Sequence, residues 1–270
     1  MIIVDLNQIM ISNLMVQING RNAVELSEDL VRHMVLNSLR AHKKRFRDYG
    51  EMIIACDSGN VWRRKVFANY KAGRKTTREK SGHDWTKIFE IMSKIKNELK
   101  EHMPYKVIEI DTAEADDIIG ALVKKSYYTN QNVLILSGDK DFIQLHNNRV
   151  KQYNPVLNKF VGQGETPSIY IKEHILKGDR SDGIPNVLSA DHTFFEGLRQ
   201  RPLGKKKIAT WIDNGVEDCL PNNEIRRNYH RNKKLIDLDQ CPPEIFKEIL
   251  KEFNNAPEGD RSKLLNYFIK

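Results

Sequence analysis

Four short apolar runs, each closing on carboxylates, restrict what this chain can fold into. Residues 1–4 lead to Asp5, Met52–Cys56 to Asp57, Val107–Ile110 to Glu114, Asp116 and Asp117, and Val133–Leu136 to Asp139 and Asp141. Runs this short, rich in β-branched residues and without polar alternation, are expected to be strands buried on both faces. Between the first two, Leu30, Val31, Met34, Val35, Ser38 and Leu39 keep helical spacing until Gly50 ends the helix. Strands alternating with helices imply an α/β fold with a central parallel sheet and right-handed crossovers. Such sheets bind ligands outside the carboxyl ends of their strands. All four runs therefore deliver acids to the same edge.

A single acid after a strand is ordinary, because Asp caps helices and opens turns. Four in succession, one of them clustered as Glu114-Ala115-Asp116-Asp117, exceed what capping needs. Asp111 is the natural N-cap of the helix that follows, with Glu114 closing a capping box. Residues two apart on a helix point about 200° apart. If Glu114 and Asp116 share a cation, Glu114 has to sit at the helix mouth. A further Gly-framed turn, Lys177-Gly178-Asp179-Arg180-Ser181-Asp182-Gly183, adds two acids.

Asp5, Asp57, Glu114, Asp116, Asp139, Asp141 and Asp182 offer only hard oxygen donors, which favours Mg²⁺ or Mn²⁺ over zinc or copper. There are more carboxylates than one ion needs. Two ions fit, clamping the attacking and leaving oxygens of an in-line displacement at phosphorus.

Charge points to the substrate. The chain carries 44 basic against 36 acidic residues, net +8. Between Val61 and Lys87 nine basic residues face two acids, so nearly the whole excess lies in one segment. Its Arg63, Arg64, Lys71, Arg74 and Lys75 suit phosphate, and Trp62, Phe67, Tyr70 and Trp85 could stack on bases, with core packing the plainer reading for Phe67 and Trp85. Gly73 and Thr76-Thr77 suggest mobility of this segment without nucleic acid. Basic clusters recur at Arg199 to Lys207 and Arg226 to Lys234. Together these features predict a metal-dependent phosphodiesterase acting on nucleic acid.

Cys56, Cys219 and Cys241 are odd in number and far apart, which indicates neither a disulfide framework nor a zinc site and fits a reducing compartment. No run approaches a membrane span, and residues 1–5 lack a signal peptide's pattern, so a soluble, cytoplasmic protein is expected. Turn residues from Asn154 to Pro167 place a boundary near residue 165, and the chain beyond Ile169 reads as short helices. Lys263 to Ile269 is expected to be a terminal helix packed on the core.

Taken in order, Ile3-Val4-Asp5-Leu6-Asn7, Asp57 with Trp62-Arg63-Arg64 and Tyr70-Lys71-Ala72-Gly73-Arg74, Glu114-Ala115-Asp116-Asp117, Ser137-Gly138-Asp139-Lys140-Asp141 and Lys177 to Asp182 resemble the flap endonuclease and 5′-nuclease family. The likeness covers essentially the whole chain. It implies a PIN-like nuclease core over residues 1–165 with a helical arch at about 58–87, and a mostly helical, helix-hairpin-helix-like duplex-binding region over 166–270. The implied activity is 5′→3′ exonuclease and flap cleavage of RNA:DNA and DNA duplexes, removing RNA primers in phage lagging-strand replication. Asp5, Asp57, Asp116 and Asp139 look like first-ion ligands with Glu114 beside them. Asp141 and Asp182 look like second-ion ligands, and Asp117 and Asp179 like outer-shell residues. Arg63, Arg64, Tyr70, Lys71, Arg74 and Lys75 fall in the arch, where Lys71, with Arg64, is expected at the scissile phosphate, and Lys205, Lys206 and Lys207 are expected to grip duplex. Two Mg²⁺ ions, replaceable by Mn²⁺, are the implied cofactors. The implied partners are flapped or nicked duplex, a phage single-stranded-DNA-binding protein and a sliding clamp, with the enzyme a monomer and no membrane involved.

The sequence departs from the family at the last acidic motif. Many members follow it with Asn-Ile-Pro-Gly and a Gly-Ile-Gly hairpin that holds a monovalent cation. Here it reads Gly183-Ile184-Pro185-Asn186 and runs into Leu188-Ser189-Ala190-Asp191-His192 without that hairpin. The two later basic clusters are then expected to hold duplex by charge. Two other classes stand against the nuclease reading: a phosphatase using Asp5 as nucleophile, for which Asn7 stands where a second Asp is wanted, and a non-catalytic structure-specific DNA-binding protein.

Overall fold

The computed structural model describes residues 1–18, 26–257 and 262–269. Its strands are β1 (Ile2–Asp5), β2 (Met52–Cys56), β3 (Lys106–Glu109), β4 (Val133–Leu136), β5 (Val150–Asn154) and β6 (Lys159–Phe160), in the order β3-β2-β1-β4-β5-β6. All neighbouring pairs are parallel except β5 with β6. The four expected strands are present within a residue of their expected bounds. β5 and β6 were not legible, since Lys151, Gln152, Asn154 and Lys159 break the apolar pattern.

β1 lies between β2 and β4, so the connections leave its end in opposite directions and open a crevice there. Register places Asp5 opposite Ala55 and Val4 opposite Leu136. The strand ends that carry Asp5, Asp57 and Asp139 are thus level with one another.

The helices are α1 (Leu6–Ile18), α2 (Glu28–Arg45), α3 (Arg63–Val66), α4 (Gly73–Lys80), α5 (Trp85–His102), α6 (Ala115–Thr129), α7 (Pro167–Lys177), α8 (Lys205–Asp213), α9 (Val216–Cys219), α10 (Asn223–Ile236), α11 (Pro243–Asn255) and α12 (Ser262–Ile269). Local chemistry sets their ends. Ser27 caps α2 through Leu30 N–H, and acids fill its first turn while His42 to Arg45 fill its last. Asp84 caps α5 and Asn222 caps α10, and Asn130 closes α6 in the left-handed region.

Contacts divide the chain into two compact units. Unit 1 joins Met1–Asn60, Asp84–Gln163 and Pro243–Lys270, and unit 2 joins Val61–His83 with Gly164–Pro242. This departs from a linear division at residue 165. In unit 1, α1, α2 and α5 cover the sheet through Leu14, Val35, Leu39 and Ile95, while α11 packs against α6 and β3. α12 lies on α5, with Tyr267 Oη donating to Glu98 Oε2 at 2.7 Å. Unit 2 has its own core, in which Val61, Phe67 and Tyr70 meet Leu176, Ile208 and Trp211. The segment expected as an arch is anchored there by its aromatic residues.

Candidate metal centre and nucleic-acid interface

At the sheet edge of unit 1, Asp5 and Asp57 accept hydrogen bonds from neutral donors. Asp5 is buried at the end of β1 and accepts Gln8 N–H (3.1 Å) and Ser137 Oγ–H (3.0 Å). Asp57 accepts Asn7 Nδ2 (2.5 Å) and, through its other oxygen, Ala115 N–H (2.7 Å), so it reaches the first residue of α6. Ala113 O accepts Ser58 N–H (3.0 Å), which fastens the same junction. Asp139 accepts Asp141 N–H (3.0 Å), and its own N–H donates to Ser137 Oγ (3.1 Å).

At the mouth of α6 the capping differs from the expected one. Glu114, not Asp111, is the N-cap, and Asp117 completes the box by accepting Glu114 N–H at 3.0 Å. Asp111 instead takes its neighbour's N–H at Thr112 (2.9 Å), a residue at φ +67°. The helix begins three residues later than an Asp111 cap requires, because Thr112 turns the chain the other way first. Glu114 therefore sits at the mouth, buried, with Asp116 in the first turn and half-buried. This is the placement that sharing a cation demands of it.

Electrostatics tests whether a cation fits. The Asp5 carboxyl is pushed up to about 7, first by burial and then by the charges of Asp57 and, more weakly, Asp139, against the help of Gln8 and Ser137. Like charges at the edge repel without a compensating base on Asp5, and the donors are oxygens. Asp5, Asp57, Glu114, Asp116 and Asp139 fit a hard divalent ion. Such an ion supplies charge neutralisation at a phosphoryl group and lowers the pKa of water in its shell.

Residues that the motifs did not single out hold this edge in place. Gln152, fully buried in β5, donates to Ser137 O (2.8 Å) and Asp139 O (2.6 Å). Gln8 Oε1 accepts Gly138 N–H. A Cβ at Gly138 would meet Asn154 Nδ2 at 2.3 Å, so a larger residue there would push aside the Asn154 side chain, whose Oδ1 accepts Val156 and Leu157 N–H. Asn7 and Ser137 lie inside quoted motifs. Gln8, Gln152 and Asn154 carry no sequence signal, because buried amides look like any surface polar residue.

In unit 2 the acidic turn is differently occupied. Asp179 accepts Ser181 N–H (2.7 Å) and Ser181 Oγ–H (2.8 Å). Asp182 accepts Tyr70 Oη–H (3.0 Å) and Arg74 Nη2 (2.6 Å), with Lys71 Nζ at 3.5 Å. Lys71, at φ +58°, also donates its N–H to Asp182 O (2.8 Å). Gly178 is at φ +68°, and a Cβ there would strike Ile184 O at 2.3 Å. The turn is thereby locked against the start of the basic segment.

Several expected nucleic-acid contacts are corrected by burial. Arg63 is 1% exposed, donates Nε–H to Leu235 O (2.8 Å) and stacks on Trp62, so it is a core residue. Trp62, Phe67 and Tyr70 are buried as well and do not present faces to bases. Apolar contact inside unit 2 outweighs the charge around them. Arg64, Lys65, Arg74 and Lys75 are exposed. Arg78 is pushed down from the usual arginine range by partial burial and then by Arg74 and Arg64. That repulsion marks the cation density of α4.

Part of the cluster at Arg226 to Lys234 turns inward. Arg231 donates Nη2–H to Pro185 O (3.0 Å), and both it and Arg227 pair with Asp191. Asn228 and Asn232 of α10, both buried, take the carbonyls of Val187, Ser189, Ile175 and Pro185. These two asparagines secure the chain where the hairpin is missing. Lys205, Lys206 and Lys207 are exposed and fill the first turn of α8, where cations oppose the helix dipole.

Residues 5–175 match the family of 5′-3′ exonuclease N-terminal resolvase-like domains, and residues 165–270 match the family described as T4 RNase H, C terminal. This chain belongs to the 5′-3′ exonuclease family. Ribonuclease H of Enterobacteria phage T4 is 35% identical over 280 residues, spanning 99% of this chain and 90% of that protein. DNA polymerase I of Streptococcus pneumoniae (strain ATCC BAA-255 / R6) is 30% identical over 177 residues, 57% of this chain and 19% of the polymerase. The T5 D15 protein crystallised with metal ions has a TM-score of 0.69 at 16% identity, covering 94% of this chain and 98% of that one. A T5 5′-exonuclease with bound zinc gives 0.70 at 17%, over 95% and 98%. At such identity the T5 likeness is one of fold. Family membership makes the chain an enzyme, a 5′-3′ exonuclease-type nuclease. Among the described residues no helix is long and apolar enough to cross a membrane.

Proposed function

We propose that the chain is a Mg²⁺-dependent 5′→3′ exonuclease and flap endonuclease that removes RNA primers from lagging-strand fragments by a two-ion mechanism. The observation that carries this reading is the set of carboxylates at one sheet edge, with Asp5 driven up towards neutrality first by burial and then by the charge of Asp57. Asp5, Asp57, Asp116 and Asp139, with Glu114 beside them, would hold one ion. Asp141 and Asp182 are the second-ion ligands of this reading by family resemblance, with Asp117 and Asp179 as outer-shell residues. Asp117 acts on the ligands through the cap it gives Glu114.

The chain's own residues set the geometry. Gln152 and Ser137 fix the backbone and carboxyl of Asp139 and Asp5, and Asp57 ties Ala115 to β2. Arg64, Lys71, Arg74 and Lys75 are the phosphate-facing cations of this proposal. The name of the phage T4 relative, Ribonuclease H, supports the RNA-primer substrate. The T5 proteins crystallised with metal ions, zinc in one case, support metal dependence. A single-stranded-DNA-binding protein, a sliding clamp, a monomeric state and a cytoplasmic location complete the reading.

Product mapping on end-labelled nicked, flapped and RNA-primed duplexes tests it. Short 5′ products formed with Mg²⁺ and abolished by EDTA are expected. Cleavage that persists in EDTA, or products released from the 3′ end, would overturn it.

A further inference from the structure

The turn from Ala190 to Arg201 in unit 2 holds two large apolar side chains in solvent: Phe195 is 71% exposed and Leu198 50%. Its backbone is tied at several points. Leu198 N–H donates to Thr193 O (2.7 Å), and Gly197, at φ +69°, donates to Phe194 O (3.2 Å). At the base, Arg201 N–H donates to Ser189 Oγ (2.9 Å) and Asn186 Nδ2 to Arg201 O (2.8 Å). Phe194 is half-buried, with Arg180 Cζ 5.8 Å from its ring centroid. Chain entropy is spent to hold Phe195 and Leu198 where half or more of each side chain stays in solvent.

The surroundings identify what covers them. Arg199, Arg201, Lys205, Lys206 and Lys207 are all exposed, and the acids of the turn are Asp191 and Glu196. The charge of Asp191 is met by Arg227 and Arg231. Protein interfaces are depleted in lysine, whereas an apolar residue among phosphate-binding cations is how proteins wedge into a base step. The geometry points to a duplex wedge: Phe195 and Leu198 press against a base-pair step while Arg199, Arg201 and Lys205 to Lys207 hold the flanking phosphates. This rests on the nuclease reading and adds to it a contact that distorts the duplex.

The test uses the full chain with fluorescein-labelled nicked duplex in Ca²⁺, read by anisotropy across a salt series, and with 2-aminopurine placed at successive steps. Wild type is expected to brighten 2-aminopurine at one step. Phe195→Ala should lose that signal and bind about tenfold more weakly with the salt slope unchanged, and Phe195→Trp should keep both. Leu198→Ala should give a smaller loss of the same kind. Equal affinity and equal 2-aminopurine signal in Phe195→Ala and Leu198→Ala would overturn the wedge, as would a loss that follows the salt slope. Unchanged duplex binding with altered sedimentation would assign the patch to contacts between copies of the chain. A wild type that neither binds nor cuts duplex would overturn the nuclease reading itself, a result distinct from any of these.

Discussion

Two groups of carboxylates, one in each unit, are solvated by the protein in opposite ways. In unit 1, Asp5 and Asp57 receive amide and hydroxyl donors from Asn7, Gln8, Ala115 and Ser137, and their charges repel. In unit 2, Asp182 receives two cations and a phenol from the basic segment. The first arrangement leaves negative charge uncompensated and so prepared for a cation from solution. The second spends its charge inside the fold, holding the largely buried Lys71 and the exposed Arg74 at the base of the exposed stretch. An acid's motif therefore says less about its task than the sign of its neighbours does.

The contrast is sharpest for the acids of the sheet edge. Asp116→Asn or Asp139→Asn should lower Mg²⁺-dependent turnover roughly a thousandfold or more, since each removes charge that an ion needs. Duplex affinity in Ca²⁺ and the thermal midpoint should stay close to wild type. Normal turnover by both variants would remove these residues from the centre.

Next in size is the split within the basic segment. Arg63→Ala should destabilise the protein by about 3 kcal/mol in denaturant unfolding, because a buried, hydrogen-bonded guanidinium is lost from the unit 2 core. Arg64→Ala should leave stability nearly unchanged and weaken duplex binding with a shallower salt slope. The reverse pattern would restore Arg63 to the nucleic-acid face.

Asp182→Asn separates its two possible tasks. If its cations are its main partners, stability falls by about 1 kcal/mol or less and trypsin cuts faster between Lys71 and Lys80, with the Mg²⁺ requirement unmoved. A large rise in the Mg²⁺ concentration needed for cleavage would instead make it an ion ligand.

A further effect concerns pH. Asp5 ionises near 7 in the folded chain and at 3.8 in its ordinary state. Between those values the folded chain keeps a proton that the unfolded chain has lost. Without divalent cation, stability should fall as pH rises from about 4 to about 7 and then level off. Mg²⁺ should raise the thermal midpoint by a few degrees more at pH 8 than at pH 5.5, roughly the span that 1 kcal/mol moves a domain this size. An equal shift at both pH values would show that Asp5 does not titrate with the site.

What was legible in the sequence followed physical simplicity. Aliphatic runs have one use, so β1, β2, β3 and β4 and the acids at their ends could be read directly. The aromatics from Trp62 to Tyr70 have two uses, and the core of unit 2 claimed them. The partition of basic residues between Lys205 to Lys207, which face water, and Arg231, which does not, depends on Asp191 lying 40 residues away. Gln152, Asn228 and Asn232 act through long-range contacts with main-chain carbonyls. No local pattern announces a partner of that kind.

Because α11 belongs to unit 1 and packs on α6 and β3, the first unit is completed only after all of unit 2 has been synthesised. On the ribosome, the helix that carries Asp116 lacks this covering flank while Gly164–Pro242 is being made. Lys125 has not yet met Phe253, whose ring its ammonium covers at 3.9 Å in the finished fold. A nascent chain that already holds every acid of the sheet edge is therefore still an unfinished domain, and maturation of the nuclease is timed by translation.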